Sequence, residues 1–443
     1  MTASFAQVLI FLAIGIGVII LLTTRFRVHA FFALFIACFI VGLGIQMPFA
    51  DIISTTKEGF GNIMKSLGFI IVLGTALGVL LEYTGSTKVM AAYILKKTGD
   101  KHASLAMSIS GFIVGLPIFC DSGYIVLSGL NQSMAKKTGI SMVTMSVSLA
   151  TGLYSVHCLI PPHPGATAAA VTIGVDFGKL ILAGIIVALP AMIAGYWWAN
   201  YAGKKIQLPA IHEEIVQEEN SSGPSVILAF LPVFIPIVLI GIKSFLSVEH
   251  TNNSYAVRFF SVLGDPVIAL SVGILLAFFC KRSWTKPELG KLLQEAAEKA
   301  GGILVIIGAG GAFGAILASA KIGQQFGNAV PLASLGLLFP FLLAAILKTA
   351  QGSSTVAIIT AASIIQPLLP SLGLDSANGK LIAVLSMGAG SMLLSHANDA
   401  YFWVIAKFSK LDMNSMLKVY TVSTAIMGFI SLLVLYLVSL FML

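Results

Sequence analysis

Long apolar runs recur along the chain, and most of them are bounded by basic residues, glycines or prolines. A transmembrane helix needs about 20 predominantly apolar residues, a length that these runs approach or reach. In the first half the predicted spans are residues 4–22, 29–46, 67–83 and 179–198. In the second half they are residues 225–242, 259–280, 301–320 and 421–442. The hydropathy pattern therefore predicts an all-α polytopic membrane protein.

One apolar stretch, residues 141–175, is interrupted between Ser155 and Gly165 by three prolines and two histidines. Each proline removes a backbone donor, and three so close together are incompatible with a continuous helix. Because lipid offers no hydrogen bonds, such a break occurs where protein surrounds it or where it lines a polar cavity. The pattern predicts a discontinuous transmembrane helix, the element that forms the binding site of many secondary transporters.

A second irregular segment, residues 103–134, has basic residues at both ends, among them Lys101 and Lys136. Loops rich in lysine and arginine favour the cytoplasmic side, so both ends belong on the same side of the membrane. One straight span cannot satisfy that condition, whereas a hairpin that enters the membrane and returns can. We therefore predict a re-entrant hairpin over residues 103–134, with its tip near residues 117–123.

The second half of the chain repeats these features at a constant shift of 236 residues. The positions related by this shift include Gly74 and Gly310, Gly78 and Gly314, Ser155 and Ser391, and His163 and Asp399. A single shift without gaps is the mark of an internal repeat. It predicts a second hairpin over residues 332–369 and a second broken helix over residues 379–406.

The basic residues indicate that the two halves have opposite orientations. Most of the 26 lysine and arginine residues fall on the predicted cytoplasmic side if both termini lie on the opposite side of the membrane. Two similar halves of opposite orientation form inverted repeats, an architecture typical of secondary transporters. The predicted repeats are residues 1–205 and 225–443, joined by a cytoplasmic linker over residues 206–224.

Composition supports this interpretation and excludes other classes of protein. Of the 443 residues 57% are apolar and 10% are charged, and the mean hydropathy of +0.97 exceeds that of soluble domains of this length. The formal charge of +8 is spread over short loops, which excludes a nucleic-acid-binding patch. The four cysteines lie in apolar segments and no metal-ligand spacing is present, so we expect no disulfide framework, no metal and no resident cofactor.

The hairpin tips and helix breaks would surround a cavity lined by polar and charged side chains. The residues assigned to substrate binding are Asp121, Ser122, Tyr124, His163, Lys348, Ser353, Ser354, Thr355 and Asn398. The residues assigned to proton coupling are Asp121, Asp399, His157 and His396. Hydroxyl groups both donate and accept hydrogen bonds, as a polyol requires, and helix N-termini attract a carboxylate. The predicted ligand is a small anionic hydroxy acid.

Each of these candidates has an alternative structural role. Charges inside a membrane are costly and commonly functional, which favours Asp121, Asp399 and Lys348. Lys348 is either the counter-ion of a substrate carboxylate, a snorkelling lysine or a partner of Asp399. Asp121 is either a proton carrier or an N-cap of the returning hairpin helix. Each histidine is either a proton relay or a hydrogen-bonded structural residue.

Four motifs carry a family resemblance. They are GLPIFCDSG at residues 115–123, PPHPG at 161–165, GSSTVA at 352–357 and SHANDAYFW at 395–403. These motifs resemble those of the gluconate permease family, and the resemblance covers nearly the whole chain. It implies a bacterial inner-membrane proton symporter for sugar acids such as gluconate, with relatives that carry idonate, fructuronate, glycerate or D-serine. It also implies a homodimer with an elevator-like moving domain.

One departure from the family pattern leaves the solute open. At the first hairpin tip this chain has Asp121-Ser-Gly-Tyr124, where members that carry gluconate usually have an acidic residue followed by Val-Gly. We predict a proton-coupled importer of a small hydroxy-carboxylate, with gluconate-like sugar acids as the leading substrates and glycerate, fructuronate and D-serine as alternatives. The oxygens of Gly352 to Thr355 keep sodium coupling open. A channel, or a metallohydrolase built on His157, His163 and Asp399, is a further alternative.

Overall fold

The structure, a computed structural model, describes residues 5–206, 223–246, 255–319 and 334–442. Within these ranges the chain consists of helices joined by short connections, with no β-strand. Seven of the helices are long and apolar enough to cross a membrane, judged by length and composition. These findings confirm the prediction of an all-α polytopic membrane protein.

The two halves of the chain contribute similar series of helices. The first half contains α1 (Phe5–Thr24), α2 (Ala30–Gly44), α3 (Phe49–Tyr83), α4 (Ser86–Thr98), α5 (Ala103–Gly115), α6 (Cys120–Thr138), α7 (Met142–Leu159), α8 (Pro164–Ile173) and α9 (Phe177–Gly203). The described part of the second half contains α10 (Val226–Leu246), α11 (Tyr255–Leu263), α12 (Pro266–Phe278), α13 (Lys286–Ser319), α14 (Leu338–Gln351), α15 (Ser354–Ile365), α16 (Ala377–Met392), α17 (Ala400–Ser409) and α18 (Val422–Met442). A π-helix, Met416–Thr421, precedes α18.

The two longest helices, α3 and α13, begin well before the predicted spans at residues 67–83 and 301–320. The buried residues in the N-terminal part of α3 are Ile52, Thr56, Gly59 and Ile63, which recur at helical spacing. Most of the remaining residues of this part are polar or partly exposed. An amphipathic segment of this kind supports a helix but lacks the continuous apolar run by which a span is recognised. The predicted boundaries are therefore too short.

Helices α3 and α13 pack against each other at very short range. A Cβ atom at Gly59 would lie 2.6 Å from the Gly311 carbonyl oxygen and 2.7 Å from the Ala315 Cβ. Glycine at position 59 is thus required for the two backbones to approach. Helices α1, α2, α10 and α12 contact this pair directly or through one another. We refer to α1–α3 and α10–α13 as the scaffold.

The prediction of one helix over residues 259–280 is wrong, because the structure has two. Helix α11 ends at Leu263 and α12 begins at Pro266. The Asp265 carboxylate accepts a hydrogen bond from the Val267 amide at 3.0 Å and so caps α12. Proline suits the first helical position, where its missing donor is not needed. Asp-Pro is therefore a helix start that the apolar residues on both sides obscure in the sequence.

Paired helices occupy the ranges of the predicted hairpins and broken helices. In the first half, residues 116–119 separate α5 from α6, and residues 160–163 separate α7 from α8. In the second half, residues 352–353 separate α14 from α15, and residues 393–399 separate α16 from α17. Helices of the two halves contact one another here, with α8 against α15 and α6 against α17. We refer to α5–α8 and α14–α17 as the hairpin unit.

Several predictions fall on residues that the structure does not describe. The predicted linker, residues 206–224, lies outside the described residues except at 206, 223 and 224. Residues 332 and 333, which open the second predicted hairpin, also lie outside them. The cytoplasmic placement of the linker, the inverted orientation of the repeats and the periplasmic placement of both termini remain predictions.

Candidate substrate and ion site

A buried ion pair joins the second hairpin to the second helix break. Lys348 lies in the last turn of α14 and is 0% exposed, and its Nζ lies 2.6 Å from Asp399 Oδ2. Asp399 itself is 6% exposed. A charge that is removed from water must be paired and hydrogen-bonded, and both conditions hold here. Of the alternatives for Lys348, the structure shows the pairing with Asp399.

Other polar groups complete the surroundings of the ion pair. Lys348 Nζ also donates to the Gly352 carbonyl oxygen at 2.6 Å. Asp399 Oδ2 accepts a hydrogen bond from the Ser395 hydroxyl, and its Oδ1 accepts one from the Tyr401 amide at 3.0 Å. The second contact makes Asp399 the N-cap of α17. One carboxylate therefore neutralises the lysine and starts the half-helix that follows the break.

Asn398 attaches the second helix break to the C-terminus of α14. Its side-chain amide donates to the carbonyl oxygens of Thr349 at 2.7 Å and Ala350 at 3.3 Å. Gly352, which follows α14, has a φ of +84°, and a Cβ atom there would collide with the Asn398 carbonyl oxygen. Glycine alone fits both the left-handed conformation and this contact. In this structure Asn398, predicted to bind substrate, holds the hairpin tip in place.

The loop between α16 and α17 is held by hydrogen bonds to the start of α18. The Thr421 hydroxyl donates to the Ser395 carbonyl at 2.6 Å, and the Ser395 amide donates to Thr424 Oγ1 at 3.1 Å. Within the loop, the Asp399 amide donates to the His396 carbonyl at 2.8 Å. His396, predicted to carry protons, lies half-buried in this loop and contributes its backbone carbonyl to it.

Asp121 brings a second carboxylate toward the ion pair. It lies in the first turn of α6, half-buried, and interacts electrostatically with both Asp399 and Lys348. The Cys120 thiol lies 3.6 Å from Asp121 Oδ1. The N-cap position of α6 is Phe119, where no side chain caps the helix, so Asp121 does not have the alternative role of N-cap. The first hairpin therefore places a carboxylate beside a site built mainly by the second.

The two histidines of the first broken helix lie next to each other. His163 is 2% exposed, and its Nε2 donates to the Gly115 carbonyl oxygen at 2.7 Å. The His157 and His163 ring centroids are 4.9 Å apart. His157 Nε2 lies 3.5 Å from Thr355 Oγ1, whereas its Nδ1 has no hydrogen-bond partner among the described residues. His163 thus contacts the first hairpin, and His157 contacts the second.

The N-terminus of α15 carries three hydroxyl side chains, of which Thr355 approaches His157. Ser353 caps the helix by accepting from the Val356 amide at 3.3 Å, and Ser354 is buried. Thr355 lies against α8, since a Cβ atom at Gly165 would lie 3.3 Å from its Cα. The first turn of a helix carries positive partial charge, which favours anions. The structure therefore places the N-terminus of α15 and the Thr355 hydroxyl beside His157.

Two predicted substrate ligands lie elsewhere. Tyr124 is fully buried, its hydroxyl pairs with that of Ser409, and its ring packs edge-on against Tyr401 with centroids 6.1 Å apart. Ser122 lines a small cavity together with Glu82 on α3. Successive residues of a helix point in different directions, so Asp121, Ser122 and Tyr124 diverge from one another. Proximity in sequence is a poor guide to membership of one site.

One residue of this region was missed in the sequence interpretation. Gln351, the last residue of α14, has a half-buried side chain whose Oε1 and Nε2 are both buried and without a hydrogen-bond partner in the described structure. An unpaired buried polar group costs about 1–3 kcal/mol, so two in one amide require an explanation. The signal was present in the sequence, because the repeat shift places Gln351 opposite Gly115 at the hairpin tip.

The assembled site contains one cation, two carboxylates, unpaired hydrogen-bonding groups and a helix N-terminus. Such a set can bind a small anion with hydroxyl groups and can hold a proton. Among the described residues no group of three or more His, Cys, Asp or Glu side chains could hold a metal ion.

Similar proteins extend over nearly the whole chain. A gluconate permease of Pseudomonas aeruginosa is 34% identical over 434 residues, covering 96% of this chain and 96% of the relative. The D-serine transporter DsdX of Escherichia coli is 30% identical over 431 residues, covering 95% of this chain and 96% of the relative. Both are transport proteins rather than enzymes, in agreement with the prediction.

The fold is shared with a solved transporter. The YdaH transporter of Alcanivorax borkumensis, described as having an unusual topology, superposes with a TM-score of 0.63 at 15% identity over 88% of this chain and 89% of that one. The family model described as GntP family permease matches residues 7–441. The resemblance to gluconate permeases is thereby confirmed, and the chain belongs to the GntP permease family.

Proposed function

We propose that this permease is a proton-coupled importer of a small hydroxy-carboxylate, with a sugar acid such as gluconate as the leading substrate. The names of its relatives support this substrate class, since gluconate and D-serine each combine a carboxylate with at least one hydroxyl group. The observation that carries the proposal is the wholly buried Lys348, held by Asp399 at the meeting point of a hairpin tip and a helix break.

A substrate carboxylate can take the place of Asp399 at Lys348 without leaving the lysine unpaired. A buried cation that loses its only anion is strongly destabilised, but exchange of one carboxylate for another keeps it neutralised. The pair thus stabilises the site before the substrate binds and offers the substrate a cation that is already shielded from bulk water. Gln351, Ser353 and Thr355 supply donors and acceptors for the hydroxyl groups of the substrate.

Charge balance supports proton coupling. Lys348 offsets one carboxylate, so a bound anion beside Asp121 and Asp399 would leave like charges close together in a region poor in water. Like charges within a few ångströms favour protonation of one of them. One proton taken up with each substrate relieves this repulsion. His157 and His396 are further candidates to hold that proton.

Alternating access follows if the hairpin unit moves as one body against the scaffold. The hairpin tips and helix breaks are contributed by both halves and pack on each other, whereas the long helices α3 and α13 pack mainly together. This division supports an elevator-type movement. The family resemblance implies a homodimer, in which the scaffolds of the two subunits would contact each other and stay in place. Chemical cross-linking in native membranes measures the oligomeric state.

Uptake of labelled gluconate into proteoliposomes with an imposed pH gradient tests the proposal. We expect accumulation that saturates with substrate and disappears when an ionophore collapses the gradient. Unlabelled gluconate, fructuronate, glycerate and D-serine added in turn identify the preferred solute. Accumulation that depends on a sodium gradient instead would overturn proton coupling, and conductance without saturation would indicate a channel.

A further inference from the structure

Two small cavities lie end to end along one face of α3, beside the first hairpin and away from the Lys348–Asp399 pair. One of them is lined by Glu82, Lys299, Ser122 and Thr75, and the other by Thr75 and His163. Thr75, Pro117 and Phe119 line both cavities, so the two cavities are neighbours. Each has a volume of about 10 Å³, room for about one water molecule.

The line of cavities follows the contact between the scaffold and the hairpin unit. A Cβ atom at Gly78 would lie 2.9 Å from the Pro117 carbonyl oxygen, and one at Gly74 would lie 3.2 Å from the Pro162 Cβ. The hairpin tip and the first helix break therefore rest directly on the α3 backbone. Glu82 lies one turn beyond Gly78 on the same face. Polar side chains lie at both ends of this apolar contact.

The end near Glu82 is charged and partly open. Glu82 is half-buried on α3, and the charged groups that face it are Lys299 and Glu295 of α13. Lys299 Nζ lies 2.8 Å from Glu295 Oε1. At the middle of the line, the Thr75 hydroxyl donates to the Ile71 carbonyl at 2.7 Å, which leaves its lone pairs able to accept from water.

The other end contains the two histidines. Because a carbonyl oxygen can only accept, His163 Nε2 carries the proton in its bond to Gly115, and Nδ1 is the basic nitrogen. The His157 ring lies 4.9 Å away, and its Nδ1 is unpaired among the described residues. His157 Nε2 lies 3.5 Å from Thr355 Oγ1, at the tip of the hairpin that carries Lys348. The line thus connects a partly exposed carboxylate to the ion-pair site.

We propose that these cavities form the path of the coupled proton, with Glu82 as the residue that exchanges it with solvent. The proton leaves the Glu82 carboxyl group, crosses water in the two cavities and is taken up by the His163–His157 pair, so the only bonds that break or form are those to protons. Chains of carboxylates and histidines serve this purpose in membrane pumps and transporters. The inference rests on the proposed proton coupling.

The variant Glu82→Gln tests the path, because the amide keeps the size of the side chain but cannot release a proton. Glu58→Gln is the matched control, since Glu58 is an exposed carboxylate on the same helix. Two assays are compared in proteoliposomes: accumulation driven by a pH gradient, and counterflow exchange of substrate at equal pH. Exchange requires the carrier to move with substrate but no net proton release.

For Glu82→Gln we expect accumulation to fall about tenfold or more, the scale of losing one proton-transfer group, with counterflow within about twofold of wild type. Glu58→Gln should change neither assay. Equal losses in both assays would assign Glu82 a structural role, and unchanged accumulation would exclude it from the path; either result overturns the inference. If wild type itself ignores the pH gradient, the proposed proton coupling fails first, and with it this path.

A second variant examines the path at its midpoint. Thr75→Val removes the hydroxyl shared by both cavities while keeping the shape of the side chain. We expect a smaller loss of gradient-driven accumulation than for Glu82→Gln, with counterflow preserved and a larger solvent isotope effect on accumulation. An isotope effect equal to that of wild type would show that protons do not pass Thr75.

Discussion

Lys348 is the residue on which the site most depends. Its ammonium group is wholly buried and has two acceptors, Asp399 and the Gly352 carbonyl oxygen. Because both acceptors belong to the hairpin tip and the neighbouring helix break, a change in their relative position must alter the surroundings of the charge. The ion pair should therefore respond both to the binding of an anion and to a movement of the second helix break.

The ion pair predicts a non-additive set of substitutions. Asp399→Asn leaves Lys348 buried without a counter-ion, which should destabilise the protein by about 3–5 kcal/mol. The double variant Lys348→Met with Asp399→Asn removes both charges and should recover part of that loss. The midpoint of thermal unfolding in detergent measures these effects.

Uptake measurements on the ion-pair variants distinguish a loss of transport from a loss of stability. Lys348→Met, alone or in the double variant, should abolish accumulation, because a substrate carboxylate then lacks its cation. Asp399→Asn keeps the cation but removes a candidate proton carrier, so it too should lose accumulation driven by a pH gradient. A double variant that is stable and still transports would show that Lys348 is structural only.

Gln351 predicts opposite changes in stability and affinity. Gln351→Leu removes two unpaired polar atoms, so the unfolding midpoint should stay the same or rise. It should also raise the KM of uptake about tenfold, which corresponds to one lost hydrogen bond of about 1.4 kcal/mol. Saturation kinetics of uptake provide the measurement.

Gln132→Leu is the control for this prediction. The Gln132 amide on α6 donates to the Phe408 carbonyl oxygen at 2.7 Å, so its replacement should lower stability and leave KM unchanged. If Gln351→Leu also lowers stability and leaves KM unchanged, the Gln351 amide does not contact the substrate.

At the scale of helices, glycines set how closely α5 and α7 approach. A Cβ atom at Gly152 would collide with the Ser108 carbonyl oxygen and lie 2.9 Å from the Phe112 nitrogen. The hairpin and the broken helix thus meet backbone to backbone, as small residues allow in membrane proteins. This contact holds the first hairpin against α7.

We expect Gly152→Ala to lower the free energy of unfolding by about 1–3 kcal/mol, the cost of overpacking a tight contact. Gly129→Ala on α6 is the control, since a Cβ atom there meets nothing within 4 Å. Alanine is the better helix former by about 1 kcal/mol, so the control should be neutral or stabilising. Thermal unfolding of the two variants is the measurement. Equal unfolding midpoints for Gly152→Ala and Gly129→Ala would contradict the close contact.

At the scale of the whole molecule, the proposed movement separates the hairpin unit from the scaffold. Helix α15 of the hairpin unit lies against α13 of the scaffold, where a Cβ atom at Gly314 would be 3.3 Å from the Ser363 Cβ. The Ser363 hydroxyl donates to the Gly310 carbonyl oxygen at 2.7 Å. This contact should change if the hairpin unit moves.

A disulfide between Gly314→Cys and Ser363→Cys tests the movement. The Cβ separation is close to the about 3.5–4.5 Å that a disulfide requires. Oxidation should block both uptake and counterflow, and a reducing agent should restore them. The two single-cysteine variants and oxidised wild type are the controls, and full transport by the cross-linked protein would show that α15 does not move against α13.

The sequence by itself determined the class of protein, the approximate helices and the family. Apolar runs and proline-rich breaks are local signals, so the interruptions near residues 160–163 and 393–399 could be located before the structure was known. Local signals did not locate a helix start where the surrounding hydropathy pattern suggested a different boundary. The amphipathic start of α3 and the capped helix start at Asp265 were both missed for this reason.

The tertiary structure alone decided which polar residues form one site. Lys348 and Asp399 are 51 residues apart, and their pairing was one of several alternatives until the docking of the break on the hairpin tip was known. The same docking assigned Asn398 to the hairpin tip, and helix direction turned Tyr124 toward an aromatic cluster. Contacts between distant segments depend on how whole helices pack, and packing is a property of the assembled chain rather than of any one stretch.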